Sequence, residues 1–380
     1  MNSADAHRVA ILVPSISGGG AEFVAKEWAT WLADHGIEVD VLTTDRSGSD
    51  IDSSRTGFRI RFVAGSGFVE RVRNLRRLAL ENPYDCVISL MPYWNLMALT
   101  LKLSGRTRAI KVLVSSRNSE SSLSRALGVK FRLLTFVARR SYQFADGLIA
   151  ISHPVAAEAI ATYGIDPDRV FVVPNPATAK FDRDSHDYQD SDLLPDSVVR
   201  IVVPARIVEQ KRPWLAVEVA KILSQHHPVE LHFFGSGNLS TSISDLCSKS
   251  NINFTMHGWV ESWYRDAPRN SIVLLPSLAE GFGNVLVEAC AAGLPAVASS
   301  RALGVADAIV PGITGVLIAG DSAEEYAEGV LQATECDPSV ASSWLARFSA
   351  ESSGLALSGV LRSVLPGRFE GAFGRVLTAD

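Results

Sequence analysis

Hydrophobic positions along this chain fall into two alternating kinds of run. Arg8-Val-Ala-Ile-Leu-Val-Pro14 is apolar without interruption, the pattern of a strand buried on both faces of a parallel sheet. Gly18-Gly19-Gly20 follows, then Ala21–Leu32 with apolar residues at helical spacing and a stop near Gly36, then a second apolar run at Val39–Thr43. Strand, glycine loop, helix and strand within ~35 residues predict a right-handed crossover unit. Further strands are predicted at Cys86–Ser89, Lys111–Ser115 and Gly147–Ile151. The second half repeats this grammar, with strands at Val198–Pro204, Glu230–Phe234, Ile252–Met256, Ser271–Leu275 and Ala296–Ser299 and helices at Pro213–Leu223 and Asn284–Ala292. The pattern predicts an α/β protein of two Rossmann-like, doubly wound domains.

A length of 380 residues agrees, since ~100–200 residues per domain is usual. The first domain is placed at 1–177, an acidic connector at 178–197 and the second domain at 198–345. A C-terminal helical segment, 346–380, could pack back on the first domain. The connector carries Asp182, Asp184, Asp187, Asp190, Asp192 and Asp196 with almost no periodic apolar signal, and reads as a solvated link. Open α/β sheets bind ligands beyond the carboxyl ends of their strands, so two facing domains would form a cleft there, and the chemistry is expected in it.

Composition narrows the class. Apolar residues are 47% and charged residues 20%, which excludes disordered, collagen-like and low-complexity chains. Cys86, Cys247, Cys290 and Cys336 form no CxxC pair, so neither a disulfide framework nor a zinc knuckle is expected, and the usage fits a reducing cytosol. No apolar run approaches the ~18 residues of a spanning helix. Met1 to Arg8 is polar and leads into a strand rather than resembling a signal peptide. A cytoplasmic protein is expected.

The sharpest constellation is Pro276-Ser-Leu-Ala-Glu280-Gly-Phe-Gly-Asn-Val-Leu-Val-Glu288. A buried strand ends, a glycine turn follows, and a helix begins near Gly283 or Asn284, where free N–H groups and the dipole favour anions. Glu280 in the turn and Glu288 in the helix would border one pocket, and carboxylates suit sugar or ribose hydroxyls. Taken singly, Glu280 reads equally as a surface residue and Glu288 as an acid favoured by the helix dipole. In Pro204-Ala-Arg206-Ile-Val-Glu-Gln-Lys211, Arg206 follows the first strand of the second half and Lys211 precedes its helix. A guanidinium and an ammonium together suit a diphosphate and would stabilise it as a leaving group; in isolation they read equally as surface cations. Ser15-Ile-Ser-Gly-Gly-Gly-Ala-Glu22 offers backbone N–H groups at a helix start. It is not GxGxxG, so a nicotinamide cofactor is not expected. His153 and His232 read as structural histidines, His257 as bordering the cleft at most, and Trp28 and Trp31 as packing.

In order along the chain, Gly18–Glu22, Ser116-Arg-Asn-Ser119, Val173-Pro-Asn-Pro176, Arg206 and Lys211, Phe234-Gly-Ser-Gly-Asn238, His257-Gly258, Glu280 seven residues before Glu288, and Asp307–Gly315 resemble the retaining glycosyltransferases of family 4, group 1 type, with the GT-B fold. The resemblance implies that Arg206 and Lys211 hold the diphosphate of a nucleotide-sugar donor. It also implies Glu280 on the donor sugar, Glu288 on the ribose, and Gly235 with the amides of Phe282, Gly283 and Asn284 around sugar or phosphate. Gly19, Gly20, Arg117 and Asn118 would lie on the acceptor or phosphate side. Where many relatives carry a His-containing segment, this chain has Arg117-Asn118, which leaves that role open. No metal and no cofactor is expected; the donor, UDP-linked first and GDP-linked second, is a substrate. Transfer of a hexosyl or N-acetylhexosaminyl group to a lipid-linked glycan or polysaccharide precursor is the implied reaction. A sugar-nucleotide 2-epimerase and a non-catalytic nucleotide-sugar-binding protein are the alternatives.

Charge adds a partner. Residues 55–140 hold 17 basic against 4 acidic residues, a field that draws anions. Arg71, Arg73, Arg76 and Arg77 interleave with Val72, Leu75 and Leu78, and Leu123–Phe144 mixes Arg125, Lys130, Arg132, Arg139 and Arg140 with apolar residues. Cations and apolar residues on one helix suit the inner face of an anionic membrane. No nucleic-acid module is recognised.

Overall fold

The computed structural model describes residues 7–16, 18–46, 57–103, 105–118, 129–182 and 198–369. The chain folds as two compact units, Met1–Pro176 with Ala350–Asp380, and Ala177–Ser349. The connector aspartates from Asp184 to Asp196, and Arg125, lie outside the described residues.

The first unit is built on strands β1 (Arg8–Val13), β2 (Glu38–Thr43), β3 (Arg59–Phe62), β4 (Cys86–Leu90), β5 (Lys111–Ser116), β6 (Gly147–Ala150) and β7 (Val170–Val172). They pair in parallel in the order β3-β2-β1-β4-β5-β6-β7. Val9–Val13 of β1 and all of β4 are buried, which explains why these runs read as continuously apolar. Helix Gly20–Asp34 turns Trp28 and Trp31 inward at i, i+3. Their indole N–H groups donate to Ser353 Oγ at 2.9 Å and Glu351 Oε2 at 2.7 Å. Both partners belong to helix Ala350–Val364, whose Leu357, Val360 and Leu361 join the core made by Val9, Ile11, Trp28 and Leu32.

Strand β3 is too short and too basic to show as a strand in the apolar pattern, yet it closes one edge of the sheet. Arg59 and Arg61 alternate with Ile60, which packs on the core. The two arginines converge on Asp40 of β2, Arg59 Nε at 2.7 Å from Oδ1 and Arg61 Nε at 2.5 Å from Oδ2. Tyr84 donates its hydroxyl to Oδ2 at 2.7 Å. Burial alone would raise the Asp40 pKa; the donors from Tyr84, Arg59 and Arg61 outweigh it and hold the carboxyl below its ordinary value.

The second unit has strands β8 (Val199–Val203), β9 (Val229–Phe234), β10 (Asn253–Gly258), β11 (Ser271–Leu275), β12 (Ala296–Ser299) and β13 (Gly315–Ile318). Their order is β10-β9-β8-β11-β12-β13, again parallel, so the winding reverses between β8 and β11. This is the doubly wound order whose ligands sit at the reversal. Short helix Ala179–Asp182 belongs to this unit, as does Phe348, whose carbonyl accepts from Thr178 N–H at 3.0 Å and Thr178 Oγ1 at 3.1 Å. Thr178 to Asp182 is therefore ordered structure of the second unit rather than solvated connector, and residues 346–349 stay with that unit because Phe348 is bonded into it.

Replacing Asp40 by Asn is expected to lower stability by ~3 kcal/mol at pH 7, because two guanidinium groups lose a buried counter-charge. The folded Asp40 titrates below its unfolded value, so its contribution is full above that value, ~3.9, and is lost as pH falls through the folded pKa. Urea unfolding of wild type and Asp40→Asn at pH 7 and pH 3 should show the difference shrinking in acid.

Candidate active site

The carboxyl ends of β8 and β11 deliver the loops that carry the sequence-predicted residues. After β8 the chain runs through Arg206, a short 3-10 turn Glu209–Lys211 and Arg212, then enters helix Pro213–Leu223. After β11 it runs from Pro276 to Gly283 and enters helix Asn284–Ala291. The two loops are stitched together by one backbone and one side-chain hydrogen bond: Leu278 N–H donates to Gln210 O at 2.9 Å, and Gln210 Nε2 donates to Ala279 O at 2.8 Å. The stitch carries Lys211 Nζ onto Glu280 Oε1 as an ion pair, with Glu280 only 7% exposed. Arg206 is exposed and makes no side-chain hydrogen bond or ion pair among the described residues.

Two glycines after β9 set where Arg206 stands. Ile207 N–H donates to Ser236 O at 3.1 Å and Leu239 N–H to Ile207 O at 3.1 Å, so the segments lie flat against each other. A Cβ on Gly235 would overlap Ala205 O, and one on Gly237 would overlap Ile207 O. Only glycine permits that approach. Gly235 is thus a packing residue under the Arg206 loop.

The helix that starts at Asn284 has Gly283 as its N-cap at φ 92°, with no side chain capping it. Backbone N–H groups of Phe282 and Gly283 donate to no carbonyl among the described residues. The Phe282 ring is buried against Phe348 at 5.3 Å, so this residue can offer a ligand its amide but not its side chain. Glu288 is 5% exposed and has its own partners, Trp263 Nε1 at 2.7 Å from Oε2 and Lys180 Nζ at 3.6 Å from Oε1. Glu280 and Glu288 are each engaged by a lysine of a different segment.

Sequence reasoning passed over Arg212, Trp263 and Lys180. Arg212 adopts a left-handed backbone at φ 47°, donates through Nε to Pro276 O at 2.5 Å, and pairs with Asp321. Its NH2 also donates to Tyr326 OH at 3.1 Å, so the guanidinium ties the loop after β8 to Pro276 of the loop after β11 and to Asp321 and Tyr326 beyond β13. A cation directly before a helix-opening proline was the available signal. For Trp263 and Lys180 there was none, because their contact with Glu288 is purely tertiary. The paired histidines were also read singly: His232 Nδ1 and His257 Nε2 lie 3.2 Å apart, and burial holds both below the ordinary histidine pKa. His153, read as structural, is exposed at the start of helix His153–Tyr163.

In the first unit, Gly19 and Gly20 are exposed at the N-terminus of helix Gly20–Asp34, just beyond β1 and beside its reversal with β4. Arg117 and Asn118 follow β5. Arg117 NH2 donates to Asn175 Oδ1, and the guanidinium lies 5.4 Å over the Trp28 ring. Burial lowers its pKa to about 9, with no carboxylate among the described residues set against it, so it remains a cation at neutral pH.

Comparison with known proteins gives this arrangement a class. The Glycosyl transferases group 1 family matches residues 185–343, and the Glycosyl transferase 4-like domain matches residues 19–176. With one match in each unit, the chain belongs to the group 1, family 4 glycosyltransferases of GT-B fold, and it is a glycosyltransferase. A D-inositol 3-phosphate glycosyltransferase of Pseudarthrobacter chlorophenolicus is 26% identical over 359 residues, covering 82% of this chain and 80% of the relative. A second enzyme of that name, from Catenulispora acidiphila, is 32% identical over 214 residues, 51% of this chain and 50% of the relative. These relatives are transferases, not epimerases. Among solved structures, the lipopolysaccharide outer core galactosyltransferase WaaB in its apo form shares the fold with TM-score 0.72 at 18% identity, covering 94% of this chain and all (100%) of its own. Anabaena HepE in complex with UDP and glucose gives TM-score 0.72 at 16% identity, with coverage of 94% and 100%.

Gly235→Ala should keep the fold but push the Arg206 loop off its seat. A displacement near 1 Å costs on the order of 10²-fold in turnover when a catalytic group is misplaced. Steady-state donor consumption, with circular dichroism as a fold control, checks this; an unchanged rate would mean that the Arg206 loop tolerates the shift.

Proposed function

We propose that this glycosyltransferase is a retaining, metal-independent enzyme that uses a nucleotide-diphosphate sugar, UDP-linked by preference, and transfers the sugar to an acceptor hydroxyl. The observation that carries the reading is the Lys211–Glu280 pair beside exposed Arg206 at the reversal of the second sheet. Arg206 and Lys211 bind the diphosphate and stabilise the charge that grows on it as the sugar departs. Glu280 accepts hydrogen bonds from sugar hydroxyls, Glu288 from the ribose, and the amides of Phe282, Gly283 and Asn284 point to sugar or phosphate. Gly235 supports the loop.

In the reaction, the bond from the anomeric carbon to the β-phosphate oxygen breaks while a bond to the acceptor oxygen forms on the same face. The acceptor proton passes to the departing phosphate oxygen. Lys211 is released from Glu280 when the diphosphate arrives, so each partner turns to a different part of the donor. Fixed cations do here what a metal would do elsewhere. The UDP and glucose held by HepE favour uridine as the base. The hexosyl or N-acetylhexosaminyl identity of the group follows from the family resemblance alone.

The first unit takes the acceptor, with Gly19, Gly20, Arg117 and Asn118 on that side. The names of the relatives contain D-inositol 3-phosphate, and a phosphorylated acceptor of that kind would suit a unit rich in cations. A lipid-linked or polysaccharide-precursor acceptor fits a second feature. Helix Val129–Ser141 exposes Leu133 (63%), Phe136 (56%) and Val137 (42%) with Arg140 at i, i+3, i+4, i+7, a stripe suited to an anionic bilayer surface. Arg139, expected to share it, instead turns in over the Tyr163 ring at 5.3 Å. No helix among the described residues is long and apolar enough to cross a membrane.

The following outcomes test this reading. In a thermal-shift panel of UDP, GDP, ADP and TDP, UDP should raise the melting temperature most. Lys211→Ala and Glu280→Gln should each lower kcat by ~10²–10³-fold, and NMR of the product should show the donor's anomeric configuration kept. Turnover near wild type in both variants would remove these residues from the site. For the membrane, wild-type protein should co-sediment with phosphatidylglycerol vesicles at low salt, and Phe136→Ser with Arg140→Glu should abolish this. Equal sedimentation of the two would end the membrane reading.

A further inference from the structure

Glu288 is buried, and its value to a ligand depends on which of its lone pairs the protein has taken and whether the carboxylate can swing. A carboxylate offers about four acceptor directions. Trp263 Nε1–H takes one on Oε2 at 2.7 Å. Lys180 Nζ, 3.6 Å from Oε1, supplies counter-charge at a distance too long for a hydrogen bond. Among the described residues, most of the acceptor capacity of Glu288 is therefore left over, while one oxygen is fixed.

Trp263 is built to fix it. The side chain is 4% exposed. Its ring packs edge-on against Tyr264 at 6.0 Å and tilted against Phe234 at 6.3 Å, and Tyr264 is stacked on Phe181 at 4.0 Å. Phe234 in turn stacks on His257 at 4.0 Å. An indole has only two side-chain torsions, and packing on both flanks leaves neither free. Phenylalanine or leucine would serve if the position needed only apolar volume. What tryptophan adds is an N–H that donates, accepts nothing and carries no charge. Such a group orients a carboxylate without neutralising it and without competing for hydroxyl protons.

We propose that Trp263 is a positioning residue for nucleotide recognition: it pins Oε2 of Glu288 so that the carboxylate accepts both ribose hydroxyls of the donor, making the site selective for ribonucleotides over 2′-deoxyribonucleotides. The proposal rests on the reading of Glu288 as the ribose-binding acid. An untethered Glu288 would still be negative and still be buried, but its oxygens would not be held at the spacing of two adjacent hydroxyls. Selectivity, rather than affinity in general, is therefore what the indole N–H controls.

The test compares UDP with 2′-deoxy-UDP by isothermal titration calorimetry on the full-length protein. Wild type should prefer UDP by ~10–100-fold, the worth of a hydrogen bond to a charged group. In Trp263→Phe the preference should fall to within ~3-fold, with 2′-deoxy-UDP affinity changed less than ~2-fold. Trp263→His, which keeps a ring N–H, should restore part of it. A wild-type preference that survives in Trp263→Phe overturns the proposal and leaves Glu288 as the ribose acid. No preference in wild type overturns the reading of Glu288 and the proposal with it, and no binding of either nucleotide overturns the uridine donor as well. Should Trp263→Phe fail to fold, the wild-type indole N–H resonance that Glu288→Gln displaces gives the same answer. It should shift with UDP and much less with 2′-deoxy-UDP; equal shifts overturn the proposal.

Discussion

Lys211 and Glu280, 69 positions apart in the chain, meet because two parallel strands end side by side. The roles proposed for the sugar and diphosphate in the second unit depend on that meeting. Parallel strands all deliver their following loops to one edge, and at the reversal of winding no crossover covers the gap. The residues after β8 and after β11 therefore share one space, whatever their separation in sequence. The Gln210 stitches narrow that space until the ammonium and carboxylate touch.

Charges in this protein divide by how completely they are satisfied. Asp40 has three donors, and Arg212 has a carbonyl, a carboxylate and a phenol hydroxyl. Such groups are scaffold: removing Asp40 or Arg212 would leave several groups without the one partner on which they converge. Arg206 is the opposite case, an exposed guanidinium standing on a glycine-lined seat with no partner among the described residues. The contrast separates the cation that holds loops from the cation available to a ligand, although Lys211 and Arg212 are neighbours in sequence and Arg206 lies only a turn away.

Much of the architecture was legible because fully buried parallel strands carry an unbroken apolar run, as at Val9–Val13 and Ile272–Leu275. Strand β3 was not, since its alternating arginines mimic a surface loop until Asp40 is seen to receive them. Strands β7 and β13, of 3 and 4 residues, are too short to carry a period. The places of Arg206, Lys211 and Glu280 after strand ends, and of Glu288 in the helix that follows, were legible from the pattern and from an ordered resemblance. What could not be read were the partners. Nothing in Trp263 or Lys180 as letters points to Glu288, and nothing in Gly235 shows that it lies under Ala205. Contacts between distant segments are a property of the packing, which a local pattern does not encode.

The helix Ala350–Val364 closes the core of the first unit over Trp28 and Trp31, although the whole second unit intervenes in the chain. A ribosome emits these parts in order. At ~5–20 residues per second, the opening sheet waits roughly 10–35 s for its last helix, with two indoles uncovered meanwhile. The second unit, contiguous from Ala177 to Ser349, needs nothing made later. Vectorial synthesis thus inverts the apparent order: the half that begins first is the half that finishes last, and a nascent chain halted before Ala350 would lack the helix that covers the apolar face around Trp28 and Trp31.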